Sequence, residues 1–472
     1  MKVRVRKRRF SDWILATRPW AFSASVIPVA AVAAWAWVRG GGTAFDGFNA
    51  ALSVLVIVLL HAGADVLSDC RDHESGVDYP GAPNGVAWIR DGRFAVPALR
   101  RYACALLAAG TLLGLAVLLR SSWSLAWIGG AGVLVAAGYS FLKYRACGDL
   151  AVFLAFVALP AAGVGIAAAG RFLPGTLLVA LPPGLLTLGI LNANNVRDVA
   201  TDARAGCRTL PMVLGTRVAG VVYCVQEFAP YVLVAAFITV GLAPYAAVGT
   251  FLTLPLALRN AAALRRGDLA TLDRSSAQLQ LLFGLLYVAA FPVAQLDFWW
   301  QMSVASVVTG GLAVRFAPRD VSRNVVFEAA LAVVLAGALW CVFWIGDQVS
   351  QLLFSFARGQ VDAIYALREG QSPELIGVLL LVLIGPAEEL FWRGVVQRRL
   401  SLRLGPNAGF ALATLGYTLI HVWSGNFMLV GAAAVCGASW GLFYRFFPRH
   451  LPALVLSHAL WDALAFVYAP IG

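Results

Sequence analysis

Long apolar runs, separated by short polar segments, extend from about residue 20 to the end of this chain. Each of the first nine is long enough to cross a bilayer as a helix, which needs about 17–25 residues. These nine runs lie at 20–38, 47–66, 97–119, 123–142, 149–169, 174–193, 216–240, 243–260 and 276–296. A shorter run at 302–315 precedes five more at 325–346, 373–400, 406–424, 427–447 and 450–469. The pattern predicts an all-α polytopic membrane protein.

The polar segments between the runs divide the chain into two groups of helices. No acidic cluster lies in 297–324, and the alternation of basic loops begins again after it. We predict a basic N-terminal segment at 1–11, a nine-helix bundle at 12–296, a linker with one short apolar run at 297–324 and a smaller bundle at 325–472. If the run in the linker crosses the membrane, the second bundle has about five to six transmembrane helices.

Composition agrees with this assignment, because 60% of the 472 residues are hydrophobic and only 13% are charged. A soluble chain is about one quarter charged. The net charge of +12 reflects Lys and Arg in alternate loops, as expected for loops on the cytoplasmic side. We therefore place the basic N-terminus in the cytoplasm, where it can also contact anionic membrane lipids. The sequence offers no soluble basic face for nucleic acid, and its seven scattered cysteines argue against a disulfide framework.

Two acidic clusters, about 130 residues apart, interrupt the first group of runs. The first consists of Asp65, Asp69, Asp72 and Asp78, and the second of Asn194, Asn195, Asp198 and Asp202. Spacings of three and four residues place such side chains on one face of a helix. Carboxylates near a membrane-spanning helix are costly and are usually there for function. Because both clusters fall at the cytoplasmic ends of their runs, we interpret them as two halves of one site.

Clustered Asp oxygens suit hard divalent cations, above all Mg²⁺ bridging a diphosphate. With its leaving group neutralised, an allylic diphosphate can ionise, and an electron-rich acceptor then traps the carbocation. Basic residues that can bind the remaining phosphate oxygens are Arg18, Lys143, Arg145, Arg197 and Arg208. The alternative is that the acids only pair with neighbouring arginines, but two clusters on one side of the membrane favour a shared site.

Four motifs in this region resemble those of the UbiA-type membrane prenyltransferases, in the same order. They lie at 16–20, 68–78, 142–149 and 194–210, and they most resemble the branch that prenylates 1,4-dihydroxy-2-naphthoate in menaquinone synthesis. The resemblance covers residues from about 12 to 296 and implies nine helices around a central cavity. It implies Mg²⁺ at Asp69, Asp72, Asp78, Asp198 and Asp202, and diphosphate contacts from Asn194, Asn195, Lys143, Arg145 and Arg208.

The chain departs from this family at three positions. Ser68 stands where the first motif normally has Asn, Asp65 stands where this branch often has another Asn, and Arg208 stands where Lys is common. A serine hydroxyl can still accept a hydrogen bond from a water on Mg²⁺, so we expect altered metal affinity without its loss. The diphosphate motifs say little about the aromatic partner, so the acceptor is the less determined substrate.

A second set of ionisable residues lies in the apolar runs after residue 373. One run holds Glu388, Glu389 and Arg393, the next holds Tyr417 and His421, and the last holds His458 and Asp462. Two adjacent glutamates deep in a bilayer are very costly without partners. Arg393 can pair with Glu389 one turn away, which leaves Glu388 to face His421 and His458.

This second set can activate a water molecule. Glu388 would act as the general base, His421 would orient the water, and His458 with Asp462 would stabilise an oxyanion. A Zn²⁺ site made by one Glu and two His is the rival interpretation, and the spacing does not decide between them. A third interpretation is a polar network that only locks helix packing.

Residues from about 325 to 470 resemble the CPBP family, the intramembrane CAAX-protease and bacteriocin-processing group. Its motifs EExxxR, FxxxH and HxxxN or HxxxD are matched here at 388–393, 417–421 and 458–462. Tyr417 replaces the usual Phe, and Asp462 replaces the commoner Asn, although an ionised Asp cannot donate to an oxyanion. The resemblance implies a glutamate-dependent endopeptidase that needs no metal. Its catalytic residues would be Glu388, Glu389, Arg393, His421, His458 and Asp462.

Together the two resemblances imply a fusion enzyme in the cell membrane of a prokaryote. It would use Mg²⁺ to transfer a polyprenyl group from polyprenyl diphosphate to a lipophilic aromatic acceptor of the menaquinone pathway. It would also cleave a membrane peptide or protein whose identity the sequence does not specify. The alternative is a prenyltransferase whose C-terminal part only binds or stabilises a partner.

Overall fold

The computed structural model describes residues 9–40, 45–76, 88–143, 145–204 and 206–471. Across these residues the secondary structure is helical, with no strand beyond one isolated bridge between Arg145 and Arg208. The chain divides into two compact units, Met1–Gln295 and Leu296–Gly472. Among the described residues, twelve helices are long and apolar enough to cross a membrane, or up to thirteen if one bent pair is counted as a span. The predicted all-α, multi-pass membrane fold is confirmed.

The helices of the first unit follow one another through short connections. They are α1 (Phe10–Ala16), α2 (Ser23–Arg39), α3 (Gly47–Glu74), α4 (Val96–Arg120), α5 (Leu125–Lys143), α6 (Gly148–Ala169), α7 (Gly175–Arg197), α8 (Val199–Arg204), α9 (Leu210–Leu214), α10 (Thr216–Thr239), α11 (Tyr245–Arg266) and α12 (Leu272–Val293). A 3₁₀ turn at Pro19–Ala21 leads from α1 into α2, and the chain bends by 61° there. Both predicted acidic clusters therefore lie at or next to the C-terminal end of a long helix, α3 and α7.

The apolar core of this unit lies between α2, α7, α10, α11 and α12. Tyr231 on α10 packs edge-on against Phe283 on α12, with ring centroids 5.4 Å apart, and Leu186 of α7 is buried in the same cluster. Lipid tails are as apolar as the side chains, so close packing and not the hydrophobic effect holds such helices together. The interlocked rings therefore fix α7, which carries the second acidic cluster.

Buried polar side chains reinforce the same helices. Asn260 on α11 donates to Glu227 Oε2 on α10 at 3.1 Å, and Asn192 on α7 donates to Gln226 Oε1 at 3.1 Å. Glu227, Asn260 and Asn192 have no exposed surface. A buried polar group without a partner costs free energy in a bilayer, so these hydrogen bonds restrict α7, α10 and α11 to one arrangement.

The second unit consists of α13 (Phe298–Phe316), α14 (Val325–Leu353), α15 (Ala357–Tyr365), α16 (Pro373–Leu404), α17 (Pro406–Leu419), α18 (Phe427–Phe446) and α19 (Pro448–Tyr468). The apolar run predicted at 406–424 forms only the 14 residues of α17, fewer than a membrane crossing needs. The chain turns there through Val422–Ser424 and Gly425, whose φ is +64°. His421 consequently lies beyond the end of the helix and not on it.

The helices α16 and α19 approach each other at the level of the backbone. A Cβ added to Gly385 on α16 would lie 2.8 Å from the Cα of Ala459 on α19, a distance that no side chain tolerates. Glycine is therefore required at position 385 for this contact. Because Gly385 precedes Glu388 by one turn, and Ala459 follows His458 directly, the close approach brings the glutamates and the histidine of the second predicted site together.

Candidate active sites

The first acidic cluster occupies the last turns of α3, where Asp65, Asp69 and Asp72 share one helical stretch, as their spacing predicts. Arg18 forms an ion pair with Asp69, and Lys143 Nζ lies 2.9 Å from Asp72 Oδ2. Arg18 also has a φ of +52°, a backbone conformation that is uncommon for residues other than glycine. Such strain costs about 1–3 kcal/mol and concentrates at functional sites. The bend before α2 thus presents the Arg18 guanidinium to the cluster.

The second acidic cluster spans a break between two helices. Helix α7 ends at Arg197, Asp198 is its C-cap residue, and α8 carries Asp202. Asn194 and Asp202 therefore do not stand on one uninterrupted helix. The amide of Asp202 nevertheless donates to the carbonyl of Asp198 at 2.9 Å, so the helical spacing continues through the break. The side chains remain on neighbouring turns.

Arg197 joins the second cluster to α12. Its Nε and Nη2 donate to the two oxygens of Asp198 at 2.8 and 2.7 Å, and its Nη1 lies 2.6 Å from Asp273 Oδ2. Its Nη2 also donates to Asn194 Oδ1 at 2.8 Å. The guanidinium that we predicted as a phosphate ligand thus clamps Asp198 in place. Asp273 belongs to no motif, and the sequence analysis missed it.

Asp202 links the second cluster electrostatically to residues of the first. Its carboxyl group is buried and lies within electrostatic range of Lys143 and Asp72, which come from α5 and α3. Burial raises the pKa of Asp202 to about 6. The Lys143 ammonium opposes this rise in pKa, and the carboxylates of Asp198 and Asp72 add to it. Like charges are therefore crowded here, and a bound cation would relieve their repulsion.

Backbone contacts gather the remaining predicted basic residues at the same place. The segment after α5 meets the segment before α9, where Arg145 and Arg208 form a bridge and the amide of Ala146 donates to Arg208 O at 2.7 Å. Ala146 has a φ of +59°. The Arg145 guanidinium lies 3.9 Å from the centre of the Phe141 ring. The connection after Lys143 thus holds two arginines close to the acidic clusters.

The donor set of this site fits Mg²⁺, because carboxylate oxygens together with a diphosphate are the ligands that this ion prefers. Across the described residues, no three Asp, Glu, His or Cys side chains already surround one metal position. Asp69, Asp72 and Asp198 instead contact basic side chains. Asn195 is half-buried near the end of α7, and Asp78 lies outside the described residues.

A cavity of about 660 Å³ lies between α3, α4, α5 and α6, and one end of it is lined by Asp65 of the first acidic cluster, one helical turn before Asp69. His61, Asp65 and Tyr139 form its polar end, and most of the remaining lining is apolar. Trp123 and Leu134, which line another part, are largely exposed on the surface of the protein. Ligand sites typically measure roughly 300–1,000 Å³, so this space is large enough for an extended apolar ligand that enters from the bilayer.

The second site is centred on α16. Glu388 and Glu389 lie between two π-helical segments, Leu380–Ile384 and Leu390–Gln397, a geometry that is rare and frequent at functional sites. The predicted ion pair of Glu389 with Arg393 is confirmed, with Nη1 and Oε2 3.1 Å apart. Glu389 is fully buried, whereas the Glu388 side chain is 22% exposed. Of the two glutamates, Glu388 is the one that a substrate can reach.

His458 connects the carboxylates of this site. Its Nδ1 lies 2.9 Å from Glu389 Oε2, and its Nε2 lies 3.4 Å from Asp462 Oδ2 and 4.0 Å from Glu388 Oε2. Trp440 stacks on the imidazole, with ring centroids 4.0 Å apart and planes inclined by 19°. The buried glutamate thus fixes Nδ1, and Nε2 faces the two more exposed carboxylates. No sequence pattern pointed to Trp440.

Tyr417 occupies the place beside Glu388 where we expected His421. The Tyr417 hydroxyl donates to Glu388 Oε2 at 3.2 Å. His421 Nδ1 donates to the carbonyl of Tyr417 at 2.8 Å, and no hydrogen bond or ion pair in the described part of the chain joins it to Glu388. The reason is that α17 ends at Leu419, so His421 caps the helix. Its Nε2 is left as a hydrogen-bond acceptor.

Two family models match the chain. One, described as the UbiA prenyltransferase family, matches residues 25–282, and the other, described as type II CAAX prenyl endopeptidase Rce1-like, matches residues 370–464. The predicted fusion of these two families is therefore confirmed. UbiA prenyltransferase domain-containing protein 1 of Xenopus tropicalis is 29% identical over 301 residues, which cover 61% of this chain and 84% of the relative. The Homo sapiens protein of the same name is 29% identical over 297 residues, covering 60% and 83%.

Solved structures also resemble the chain. The apo structure of a UbiA homolog from Aeropyrum pernix K1 has a TM-score of 0.47 and 21% identity, covering 58% of this chain and 98% of the homolog. A UbiA homolog from Archaeoglobus fulgidus bound to DMAPP and Mg²⁺ has a TM-score of 0.41 and 15% identity, covering 59% and 99%.

Proposed function

The chain belongs to the UbiA prenyltransferase family and is an enzyme that transfers prenyl groups, and from this premise we propose a donor, an acceptor and a metal. The donor is a polyprenyl diphosphate, the metal is Mg²⁺, and the acceptor is a lipophilic aromatic molecule of the 1,4-dihydroxy-2-naphthoate type used in menaquinone synthesis. The observation that carries this proposal is that the buried Asp202 of the second acidic cluster lies within electrostatic range of Asp72 and Lys143 at the first cluster.

The residues divide the work of binding the diphosphate. The carboxylates of Asp69, Asp72, Asp198 and Asp202, with Asp78, would hold Mg²⁺. When bound, Mg²⁺ neutralises the charge that develops on the departing diphosphate. Lys143, Arg145 and Arg208, together with Arg18, supply the remaining positive charge for the phosphate oxygens. Arg197, clamped between Asp198 and Asp273, acts mainly by keeping the second cluster in place.

The cavity suits the prenyl chain. It is largely apolar, and exposed side chains line one part of it. Asp65 and Tyr139 lie at its polar end, and Asp65 precedes Asp69 on α3 by one helical turn. A long polyprenyl group in the bilayer would therefore enter sideways, with its diphosphate at the polar end. The largely apolar lining would also limit the access of water to the allylic carbocation.

The acceptor is tested on the purified full-length protein in proteoliposomes. Wild-type protein is supplied with Mg²⁺, one polyprenyl diphosphate and a panel of 1,4-dihydroxy-2-naphthoate, 4-hydroxybenzoate and an apolar naphthalene without hydroxyl groups. A prenylated dihydroxynaphthoate, detected by mass spectrometry, supports the proposed acceptor. Exclusive prenylation of another ring keeps the transfer reaction and rejects the menaquinone-type acceptor.

For the second unit we propose a glutamate-dependent intramembrane endopeptidase. Glu388 would be the base that removes a proton from the attacking water, and His458, fixed by Glu389 and Trp440, would stabilise the oxyanion through Nε2. The observation in favour is that Glu388 is the exposed member of the glutamate pair and lies 4.0 Å from His458 Nε2. His421, with its Nε2 free to accept, would orient the peptide or the water. Asp462 would hold His458 in place.

A farnesylated C-a-a-X peptide, which is the substrate type that the name of the matched family describes, tests this second activity. Cleavage by wild type and its loss in Glu388→Gln supports the peptidase. Adding the chelator 1,10-phenanthroline distinguishes a Zn²⁺-dependent peptidase, which it inhibits, from a metal-independent glutamate peptidase, which stays active. Failure to cleave prenylated and unprenylated peptides alike would favour the other candidate, a module that binds or stabilises a partner.

The proposed location is the cell membrane of a prokaryote, with the N-terminus in the cytoplasm. Support comes from the basic residues at the C-terminal ends of α3, α5 and α7, which share one side if the helices cross alternately. The same side then holds the acidic clusters, where diphosphates are available. Protease protection of an N-terminal tag in sealed spheroplasts, with cleavage only after lysis, is the expected result.

A further inference from the structure

Three side chains form a connected row at the polar end of the cavity in the first unit. His61 Nδ1 on α3 lies 2.9 Å from Ser25 Oγ on α2, and His61 Nε2 lies 3.4 Å from Asp65 Oδ2. Phe156 of α6 packs on the imidazole, with ring centroids 4.3 Å apart. Ser25 and His61 are buried, whereas Asp65 is 17% exposed and lines the cavity. The carboxylate is thus the member that a ligand reaches.

The hydrogen bonds of this row allow two arrangements of its protons. Ser25 has one hydroxyl hydrogen, which goes either to Phe22 O, at 3.2 Å, or to His61 Nδ1. In the second case His61 Nε2 carries a hydrogen and donates to Asp65. If the Ser25 hydroxyl donates to Phe22 O, His61 Nδ1 carries a hydrogen and donates to Ser25. The contact between His61 Nε2 and the Asp65 carboxylate then needs a further proton shared by these two groups. Both cases place a hydrogen between His61 and Asp65, and both hold the Asp65 carboxyl group in one orientation.

Residue 65 is one of three positions at which this chain departs from the family that it resembles. Asp65 stands where the branch that it most resembles often has Asn. An amide side chain of the same shape cannot accept the proton of a hydroxyl group, whereas a carboxylate can accept it as a general base during the reaction. Asp65 is also not needed for the ion pairs of the cluster, because Arg18 pairs with Asp69 and Lys143 with Asp72. The Asp65 carboxylate, at the cavity end of the cluster, is therefore available for a role other than these ion pairs.

We infer that Asp65, positioned by His61 and Ser25, is the base that removes the hydroxyl proton of the acceptor, and that the enzyme therefore selects un-ionised phenols, naphthols or hydroquinones. The inference rests on the proposed prenyl transfer and names the group that makes the acceptor nucleophilic. Asp65, Tyr139 and Phe156 all line this cavity, so an aromatic acceptor with its hydroxyl toward Asp65 would lie near the rings of the other two. Deprotonation raises the electron density of the ring at the carbon that attacks.

The step balances without any further reactant. The hydroxyl proton passes to the Asp65–His61 pair, and a ring carbon forms a bond to C1 of the prenyl group. The bond from C1 to the diphosphate oxygen breaks, and its electron pair leaves with the diphosphate. The attacked ring carbon then loses its hydrogen as the acceptor oxygen regains the proton from Asp65. The one proton released overall leaves with the diphosphate.

The test compares two acceptors at one pH in the full-length protein with Mg²⁺ and a polyprenyl diphosphate. One is a naphthol that is un-ionised at the assay pH, and the other is a nitro-substituted naphthol that is already ionised. The quantity measured is the transfer rate with the un-ionised acceptor divided by the rate with the ionised acceptor. Changes in folding and in donor binding affect both rates and cancel in this ratio. General bases contribute about 10²–10⁴-fold, so we expect Asp65→Asn to lower this ratio by roughly 100-fold, and His61→Gln to lower it by less. Asp268→Asn, the same change at an exposed position between α11 and α12, should leave the ratio unchanged.

An unchanged ratio in Asp65→Asn would overturn the inference, because it would show that Asp65 takes no proton from the acceptor. If both rates fell equally, the ratio would also be unchanged, and Asp65 would be a structural residue. Failure of the wild type to prenylate any acceptor would instead reject the proposed function itself. That outcome is visible before any variant is made, so the two failures are distinguishable.

Discussion

The hydroxyl of Tyr417 donates to Glu388 Oε2 across 3.2 Å, from a helix that ends two residues later. The related family has Phe at this position, so in this chain the reactive glutamate gains a hydrogen bond that a Phe cannot give. The bond occupies one oxygen of Glu388 and fixes its rotamer. Together with His458 Nε2, Tyr417 thus determines where the carboxylate points.

Replacing Tyr417 by Phe removes that donor and keeps the ring. A hydrogen bond to a charged group is worth about 1.5–3 kcal/mol, so we expect peptide cleavage to slow by roughly tenfold or more, with little change in thermal stability. The check is the cleavage rate of a farnesylated C-a-a-X peptide by Tyr417→Phe and wild type. Equal rates would mean that the hydroxyl does not support Glu388 during catalysis.

Substitutions of the two adjacent glutamates should have different effects, with Glu389→Gln lowering stability and Glu388→Gln lowering activity. Glu389→Gln leaves the buried Arg393 without a charged partner, a change that typically costs about 3–5 kcal/mol. Glu388→Gln alters a partly exposed side chain, so its unfolding temperature should stay close to that of wild type while cleavage is lost. Thermal unfolding of both variants in one detergent measures the difference. Equal destabilisation would contradict the division of roles between them.

Both acidic clusters should be required for prenyl transfer. Asp72→Asn and Asp198→Asn each remove a carboxylate from a different half of the site, so either change alone should lower prenyl transfer by roughly 100-fold or more. Asp91→Asn, an identical change in the exposed connection before α4, serves as the control and should retain normal activity. Near-normal transfer in Asp72→Asn or in Asp198→Asn would mean that the two clusters do not form one site.

Asp273 should matter although it belongs to no motif. Its carboxylate holds Arg197 Nη1 at 2.6 Å, and Arg197 in turn fixes both oxygens of Asp198. Asp273→Asn therefore loosens Asp198 without removing a ligand, and we expect KM for the polyprenyl diphosphate to rise severalfold with a smaller fall in kcat. Initial rates over a range of donor concentrations give both constants. If kcat alone fell, positioning of the second cluster would not be the role of Asp273.

The sequence was sufficient for the helices and for the acidic clusters, because hydrophobic runs and spacings of three or four residues are local patterns. Asp65, Asp69 and Asp72 lie on α3 as predicted, and Glu389 pairs with Arg393. Contacts between distant elements leave no such pattern. The Asp273–Arg197 pair, the stacking of Trp440 on His458 and the Ser25–His61 hydrogen bond each join separate helices, so only the fold reveals them.

The error over His421 had no clear local signal. The predicted run already stopped at residue 424, directly before Gly425, which adopts a φ of +64° where the chain turns. Glycine just past a periodic segment often marks the end of a helix, but a helix that ended there would still have included His421. The helix α17 instead ends at Leu419, and only the fold shows that Tyr417 is the side chain beside Glu388.

The central claim is Mg²⁺-dependent prenyl transfer by one site made from both acidic clusters. The most direct test measures prenylated product from wild type and Asp198→Asn in matched proteoliposomes, with polyprenyl diphosphate and 1,4-dihydroxy-2-naphthoate, in Mg²⁺ and in EDTA. We predict product only for wild type with Mg²⁺, restored when Mg²⁺ is added back after EDTA. Product that forms equally in EDTA, or equally in Asp198→Asn, would contradict the account.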